Sequence, residues 1–346
     1  MAVFEPVVVR SLWRRMHEAR GKRLPLIAGH KLLYRCNLEC KMCPFWRRED
    51  EELLGLADEI RMMDSLARAG VSFLGFEGGE PLLRHDLPEI LHASHDRFHT
   101  SLVTNGWLLR QRLNEIAPNL ELLFVSLDGI GPLHDFLRGI PRSYERAVDG
   151  IKLARERLPV SISHTITKDN LFQSEAMVDL AESLGVGITF QVAYDYSTAD
   201  PLSPMGPDLL ETLKVLKARR LAGAPILESP EYFESIIQSW FQGKSWHCKP
   251  WMTINIDPRG RVVLPCYVLH EYAGDTPVWD VDIADMWSNF DWARYETCNK
   301  CALACYLEPS IFSWSNLGMV RDRIVSNAIG RFGRMLHRAP PVPAPA

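Results

Sequence analysis

The sequence predicts an α/β protein: a partial barrel of six parallel β/α units followed by a small α+β domain. From residue 27 onward, short β-branched or apolar runs alternate with amphipathic helical stripes, the pattern of parallel β/α units. Six such units fit within residues 27–192, whereas a closed eight-unit barrel typically takes ~250 residues. After Asp200 the alternation stops, and a hairpin pattern flanked by cysteines replaces it.

The six barrel strands are expected at residues 27–34, 71–76, 98–103, 121–127, 160–166 and 186–192. Between the first two, Ile60, Met63, Leu66 and Ala67 form a helical stripe that ends at Gly70. Met177, Leu180, Ala181 and Leu184 form another, ended by Gly185; glycine is the usual residue just past a helix end. Pro201, Pro204 and Pro207 punctuate a loop, after which residues 209–221 and 232–241 read as helices. Residues 252–256 and 262–264, joined by Asp257-Pro258-Arg259-Gly260, read as a β-hairpin. The expected divisions are a basic helical segment at 1–26, the barrel at 27–200, a second module at 201–306, a basic amphipathic helix at 307–338 and a Pro/Ala-rich disordered tail at 339–346.

The chain has 346 residues, 24% of them charged, and a formal net charge of −4. No apolar run approaches the ~20 residues needed to span a bilayer. Val7–Val9 is too short for a signal-peptide core and is followed by Arg10, Arg14 and Arg15, so a cytoplasmic location is expected. The charge balance gives no case for a nucleic-acid partner. Its distribution is uneven: residues 1–23 and 310–346 each carry +4, which leaves −12 in the body between them. Apolar positions from Ile311 to Leu336 interleave with five arginines, and Leu12, Trp13 and Met16 stand near Arg14 and Arg15. Basic amphipathic ends read either as helices packed on the barrel with a solvated basic face, or as membrane-surface segments at the inner face of a membrane.

Eight cysteines fall in two groups. The spacing is unlike a disulfide framework, and close-set reduced thiols usually bind metal. Cys36, Cys40 and Cys43 form a CxxxCxxC loop directly after the first strand. Three thiolates so spaced can hold three corners of a [4Fe–4S] cluster and leave the fourth iron without a protein ligand. A zinc loop with a distant fourth ligand is the competing reading of the spacing.

At these residues the sequence resembles the radical SAM superfamily. Gly78-Gly79-Glu80-Pro81 follows the second strand and is similar to the family's GGE motif, which receives the amino group of S-adenosylmethionine (SAM). A glycine pair permits close backbone approach, and Glu80 offers a counter-charge to an ammonium. Asn105 after the third strand, and Ser126 with Asp128 after the fourth, resemble further SAM-contacting positions; Asn170 resembles another recurring polar position. All follow strands, where the C-terminal face of a β/α barrel builds its active site. One departure is Met42, where family members usually place an aromatic residue before the third cysteine. The resemblance implies a partial radical SAM barrel, in which one electron from the cluster cleaves SAM. The resulting 5′-deoxyadenosyl radical then takes hydrogen from an unactivated substrate carbon in a shielded pocket. It implies a reductant such as flavodoxin or ferredoxin.

Cys248, Cys266, Cys298, Cys301 and Cys305 resemble the C-terminal SPASM/twitch extension that holds auxiliary clusters. Cys266 follows Gly260 one residue later than in the usual motif. Five cysteines suit the twitch form with one auxiliary [4Fe–4S] cluster on Cys248, Cys266, Cys298 and Cys301, with Cys305 a spare or alternate ligand; a zinc ribbon is the alternative. No catalytic base is assigned, the candidates by type and place being His164, Gln191, Tyr194, Asp195 and Tyr196. The expected function is modification of a peptide or small metabolite, maturase or dehydrogenase in type. Modification of a membrane lipid at the bilayer surface is the alternative, and a non-catalytic zinc-binding protein the minor one.

Overall fold

A computed structural model describes residues 14, 17–18, 21–49, 52–270 and 272–311. The parallel strands are β1 (Ile27–Lys31), β2 (Phe73–Glu77), β3 (His99–Thr104), β4 (Leu122–Ser126), β5 (Val160–Ile166) and β6 (Gly187–Val192). They lie in the order β6-β5-β4-β3-β2-β1, so each strand pairs with its neighbour in sequence. Helices follow each in turn: α1 (Leu56–Arg68), α2 (Leu87–His95), α3 (Leu109–Ile116), α4 (Pro132–Arg138) with α5 (Ser143–Ala154), α6 (Ser174–Leu184), and α7 (Pro207–Leu221) with α8 (Pro230–Gln242). Leu74, Phe76, Leu102, Leu123, Val125, Ile162 and Ile188 are fully buried alternate residues of the strands, which is the two-residue period of a sheet packed between layers. The α/β partial barrel and its six units match expectation, and Gly185 ends α6 in the left-handed conformation at φ 63°.

The expected hairpin forms from β7 (Thr253–Ile256) and β8 (Arg261–Leu264), antiparallel. It does not stand apart from the barrel. β7 pairs in parallel with β1, Ile27 opposite Thr253 through His30 opposite Ile256, and extends the sheet. A further strand, β9 (Tyr272–Pro277), makes nine among the described residues, in the order β6-β5-β4-β3-β2-β1-β7-β8-β9. All four residues of β7 are buried, as in a strand covered on both faces. Two short helices complete the described chain, α9 (Ile283–Asn289) and α10 (Ala304–Ile311). Trp287 and Trp292 are wholly buried beneath this extension, with ring centroids 5.0 Å apart.

Leu12, Trp13, Arg15, Met16 and everything after Ile311 fall outside the described residues, and the expected basic amphipathic ends fall there with them. Arg14 is described. It is buried, pairs with Glu18 and touches Met252 Sδ at 3.9 Å, so it does not lie on a solvated face. Among the described residues no helix is long and apolar enough to cross a membrane.

Candidate active site

The three thiols of the first group lie in the loop that leaves the C-terminal end of β1. Beyond the strand the backbone keeps pairing with the exit of β2: Leu32 N donates to Glu77 O at 2.9 Å, Gly79 N to Leu33 O at 2.7 Å and Glu80 N to Arg35 O at 3.0 Å. This is why the glycine pair is needed. A Cβ on Gly78 (φ +148°) would stand 2.4 Å from Leu33 O, and one on Gly79 would stand 2.1 Å from Arg35 O. The two glycines thus lock the GGE loop against the chain leading into Cys36.

Glu80, read from the sequence as a counter-charge to an ammonium, bonds here to its own chain. It is fully buried. Its Oε1 accepts from Leu82 N at 3.0 Å and Thr104 Oγ1 at 2.7 Å, and its Oε2 accepts from Asn105 N at 2.8 Å. Both oxygens are engaged in holding the β2 and β3 exits together. Burial pushes the carboxyl upward, and the three donors pull it back down. Pro81 starts the short helical turn Pro81–Leu83 that Glu80 caps. Asn105 then reaches the cysteine loop: its Nδ2 donates to Asn37 Oδ1 at 2.8 Å and lies 3.8 Å from Cys36 Sγ.

Backbone amides also point at the thiols, Leu38 N at Cys36 Sγ and Phe45 N at Cys43 Sγ, both at 3.4 Å. Burial pushes the Cys36 thiol up to about 12 and that of Cys40 to about 11. N–H groups directed at sulfur suit thiolate ligands, because they stabilise the charge that metal binding requires.

Ser126 ends β4 and is half-buried. Asp128, two residues on, is fully buried; its Oδ1 accepts from Thr165 N at 2.7 Å. Asn170 braces the same corner, with Nδ2 donating to Asp128 O at 2.7 Å and Thr165 O at 2.9 Å. The candidate bases separate. His164 is buried, with Nδ1 3.0 Å from Leu127 O and its ring edge against Phe190. Gln191 Nε2 donates to Thr165 Oγ1 at 3.1 Å. Asp195 is exposed and accepts from Ser203 N at 2.7 Å, which makes it a loop brace.

Tyr194 and Tyr196 stack edge to face at 5.1 Å. Tyr196 lies between the two cysteine groups. Burial pushes its phenol up, and Cys301, Glu77, Cys305 and Cys43 all act in the same direction. Two residues that sequence reasoning missed line this region. Lys31, buried at the end of β1, pairs with Glu77 at 3.2 Å and lies over the rings of Phe45 (3.7 Å) and Tyr267 (4.3 Å). Their signal was a charged pair, Lys31 and Glu77, at matching ends of adjacent strands.

In the second group, Cys248, Cys266, Cys298 and Cys301 border one cavity walled by Trp246, Val268, Leu269, Tyr295, Tyr306 and Leu307 among others. Cys305, on α10, does not line it. Thr253 Oγ1 holds the Cys305 carbonyl at 2.9 Å, and the Cys305 thiol is near enough to Glu77 to feel its charge. Burial raises the thiols of Cys248 and Cys301, the latter to about 12. Among the described residues no three ligating side chains close to the spacing of a single metal ion.

Residues 31–181 match the sequence pattern of the radical SAM superfamily, and residues 188–325 match that of a domain of unknown function (DUF3463). The chain is 27% identical over 300 residues to a PqqA peptide cyclase of Granulibacter bethesdensis, covering 78% of each. It is 34% identical over 168 residues to an AdoMet-dependent heme synthase of Methanosarcina barkeri, covering 46% of this chain and 48% of the relative. Among solved structures, Streptococcus suis SuiB bound to S-adenosylmethionine has a similar fold, with a TM-score of 0.62 at 18% identity, covering 81% of this chain and 71% of that one.

Proposed function

Since the chain is a radical SAM superfamily enzyme, its radical SAM domain spanning residues 31–181, we propose that it modifies a peptide by hydrogen abstraction. In this reading Cys36, Cys40 and Cys43 hold the [4Fe–4S] cluster that binds SAM. Cys248, Cys266, Cys298 and Cys301 hold one auxiliary [4Fe–4S] cluster. When bound, the first cluster supplies the electron that cleaves SAM to a 5′-deoxyadenosyl radical.

The chain's own residues do the rest. Gly78 and Gly79 let the GGE loop lie flush on the β1 exit, leaving its backbone carbonyls to receive the SAM amino group, while Glu80 keeps that loop and Asn105 in place. Ser126 stands at the adjoining strand end for the sugar and methionine side, and Asp128, sealed behind it, braces that end through Thr165 N. Tyr194, Tyr196, Phe45 and Tyr267 form aromatic walls that exclude water between the two cysteine groups, which a reactive carbon radical requires.

The observation that carries this reading is the gathering of four C-terminal thiols on one cavity. The 300-residue likeness to a peptide cyclase is longer than the radical SAM stretch and so runs into that C-terminal region. A peptide substrate is further supported by the fold neighbour SuiB, which has been solved with its precursor peptide SuiA. A one-electron carrier such as flavodoxin or ferredoxin is the expected reductant. The test is to incubate the reduced enzyme with SAM and a uniformly deuterated peptide pool, then to read deuterium in 5′-deoxyadenosine. Label from the peptides supports the reading, and label only from a deuterated lipid extract contradicts it.

A lipid substrate is the second reading. The +4 charge at each end of the sequence favours it, since basic segments are drawn to anionic membrane surfaces.

A further inference from the structure

Arg138 is the last residue of α4, and the end of that helix is clamped to the first cysteine loop. Lys41 N donates to Leu137 O at 3.0 Å and Glu39 N to Arg138 O at 3.3 Å. Gly139 turns the chain away at φ +78°, and a Cβ there would stand 2.6 Å from Glu39 O. The clamp aims the guanidinium at the middle thiol: Arg138 Nη1 lies 3.6 Å from Cys40 Sγ. On its other side Nη2 lies 2.5 Å from Asp128 Oδ2, and the Asp128 side chain is wholly inaccessible. Cys40 is itself 5% exposed.

The neighbouring imidazoles add no charge. His134 Nδ1 accepts from Asp128 N at 3.0 Å, and burial together with Arg138 drives its pKa down to about 3. Burial likewise keeps His164 neutral. At this corner Arg138 therefore faces Asp128 on one side and the Cys40 sulfur on the other.

We propose that Arg138, oriented by Asp128, sets the reduction potential of the cluster carried by Cys36, Cys40 and Cys43 through its hydrogen bond to Cys40 Sγ. Net charge and hydrogen bonds to the sulfurs are main determinants of such potentials. Reduction adds negative charge, and a fixed cation in a dry setting stabilises it far more than one in water. Removing the guanidinium takes away that stabilisation and also leaves the Asp128 carboxylate uncompensated beside the cluster. Neutralising Asp128 has the opposite effect. The inference is independent of the substrate and rests only on the cluster reading of the three cysteines.

The test is a potentiometric titration of the reconstituted full chain followed by EPR, tracking the reduced signal that changes when SAM is added. Iron and sulfide content are measured in parallel. Arg138→Gln should move the midpoint negative by at least a factor of ten in the reduction equilibrium, about 59 mV for one electron. Arg138→Lys should fall between it and the wild type, and Asp128→Asn should move the midpoint positive. If Arg138→Gln fails to assemble, the other two variants decide by the same signs. Midpoints unmoved in variants with wild-type iron content would overturn the inference alone. A wild-type chain that takes up no iron would overturn the cluster reading as well.

Discussion

Thr104 gives its hydroxyl hydrogen to Glu80 at 2.7 Å, tying the third barrel strand to the loop that follows the second. With the 2.8 Å bond from Asn105 N, this makes a buried carboxylate the joint between two adjacent strand ends at the active-site face. Glu80→Gln puts an amide where only donors point, so one buried donor loses its acceptor at a cost of about 1–3 kcal/mol. Urea unfolding should show that loss, and SAM affinity measured by calorimetry should fall with it. Unchanged stability together with lost SAM affinity would instead place the carboxylate on the ligand.

The glycine pair makes a steric prediction. Gly79→Ala forces a Cβ to within 2.1 Å of a backbone oxygen, which nothing but movement of the cysteine loop can relieve. Overpacking of this kind costs about 1–3 kcal/mol. Thermal unfolding should report the destabilisation, and iron content after reconstitution should drop. Gly131→Ala is the contrast for iron uptake: at φ +62° it strains the backbone, but among the described residues nothing lies within 4 Å of the added Cβ, and iron content should stay at the wild-type level.

Cys305 is the odd cysteine of the second group, since only the other four border the cavity. Cys301→Ala should lose about four iron per chain and Cys305→Ala none, as counted by colorimetric iron and sulfide assays. Equal losses in both variants would make Cys305 a ligand.

A pH dependence follows from Glu228. It is buried, its Oε1 accepts from Phe190 N at 3.1 Å, and its Oε2 has no hydrogen-bond partner among the described residues. Burial pushes its carboxyl from 4.5 up to about 8. The folded chain therefore holds a proton there that the unfolded chain releases above about 4.5. Stability from this group is complete below that value and is lost as pH rises through about 8, a change on the order of a few kcal/mol. Urea midpoints at pH 5.5 and 8.5 should differ less in Glu228→Gln than in the wild type. An identical slope in both would contradict the assignment.

The strands and the cysteine motifs were legible because their signals are local. Alternating apolar runs ended by residues such as Gly70 and Gly185 need no partner to be read, and neither does CxxxCxxC after a strand. Strand β9 was not legible: Tyr272–Pro277 contains Gly274, Asp275 and Pro277, types depleted in strands, and it sits at the sheet edge, where they are tolerated. The joining of β7 to β1 was hidden because the pairing links Ile27 with Thr253, and no local pattern encodes so distant a register. Arg138 was missed for the same reason, its partner Cys40 lying 98 residues earlier in the chain. Glu80 was found as a motif residue, but its task depended on Thr104, which only the fold brings near.

The central claim is that two cysteine-lined sites carry two clusters and that one of them cleaves SAM. Anaerobic reconstitution of the full chain, followed by iron and sulfide analysis and by chromatography after reduction with SAM, tests it most directly. The account predicts about eight iron and eight sulfide per chain, with 5′-deoxyadenosine formed on reduction. Zinc bound in place of iron, with SAM left intact, would contradict it.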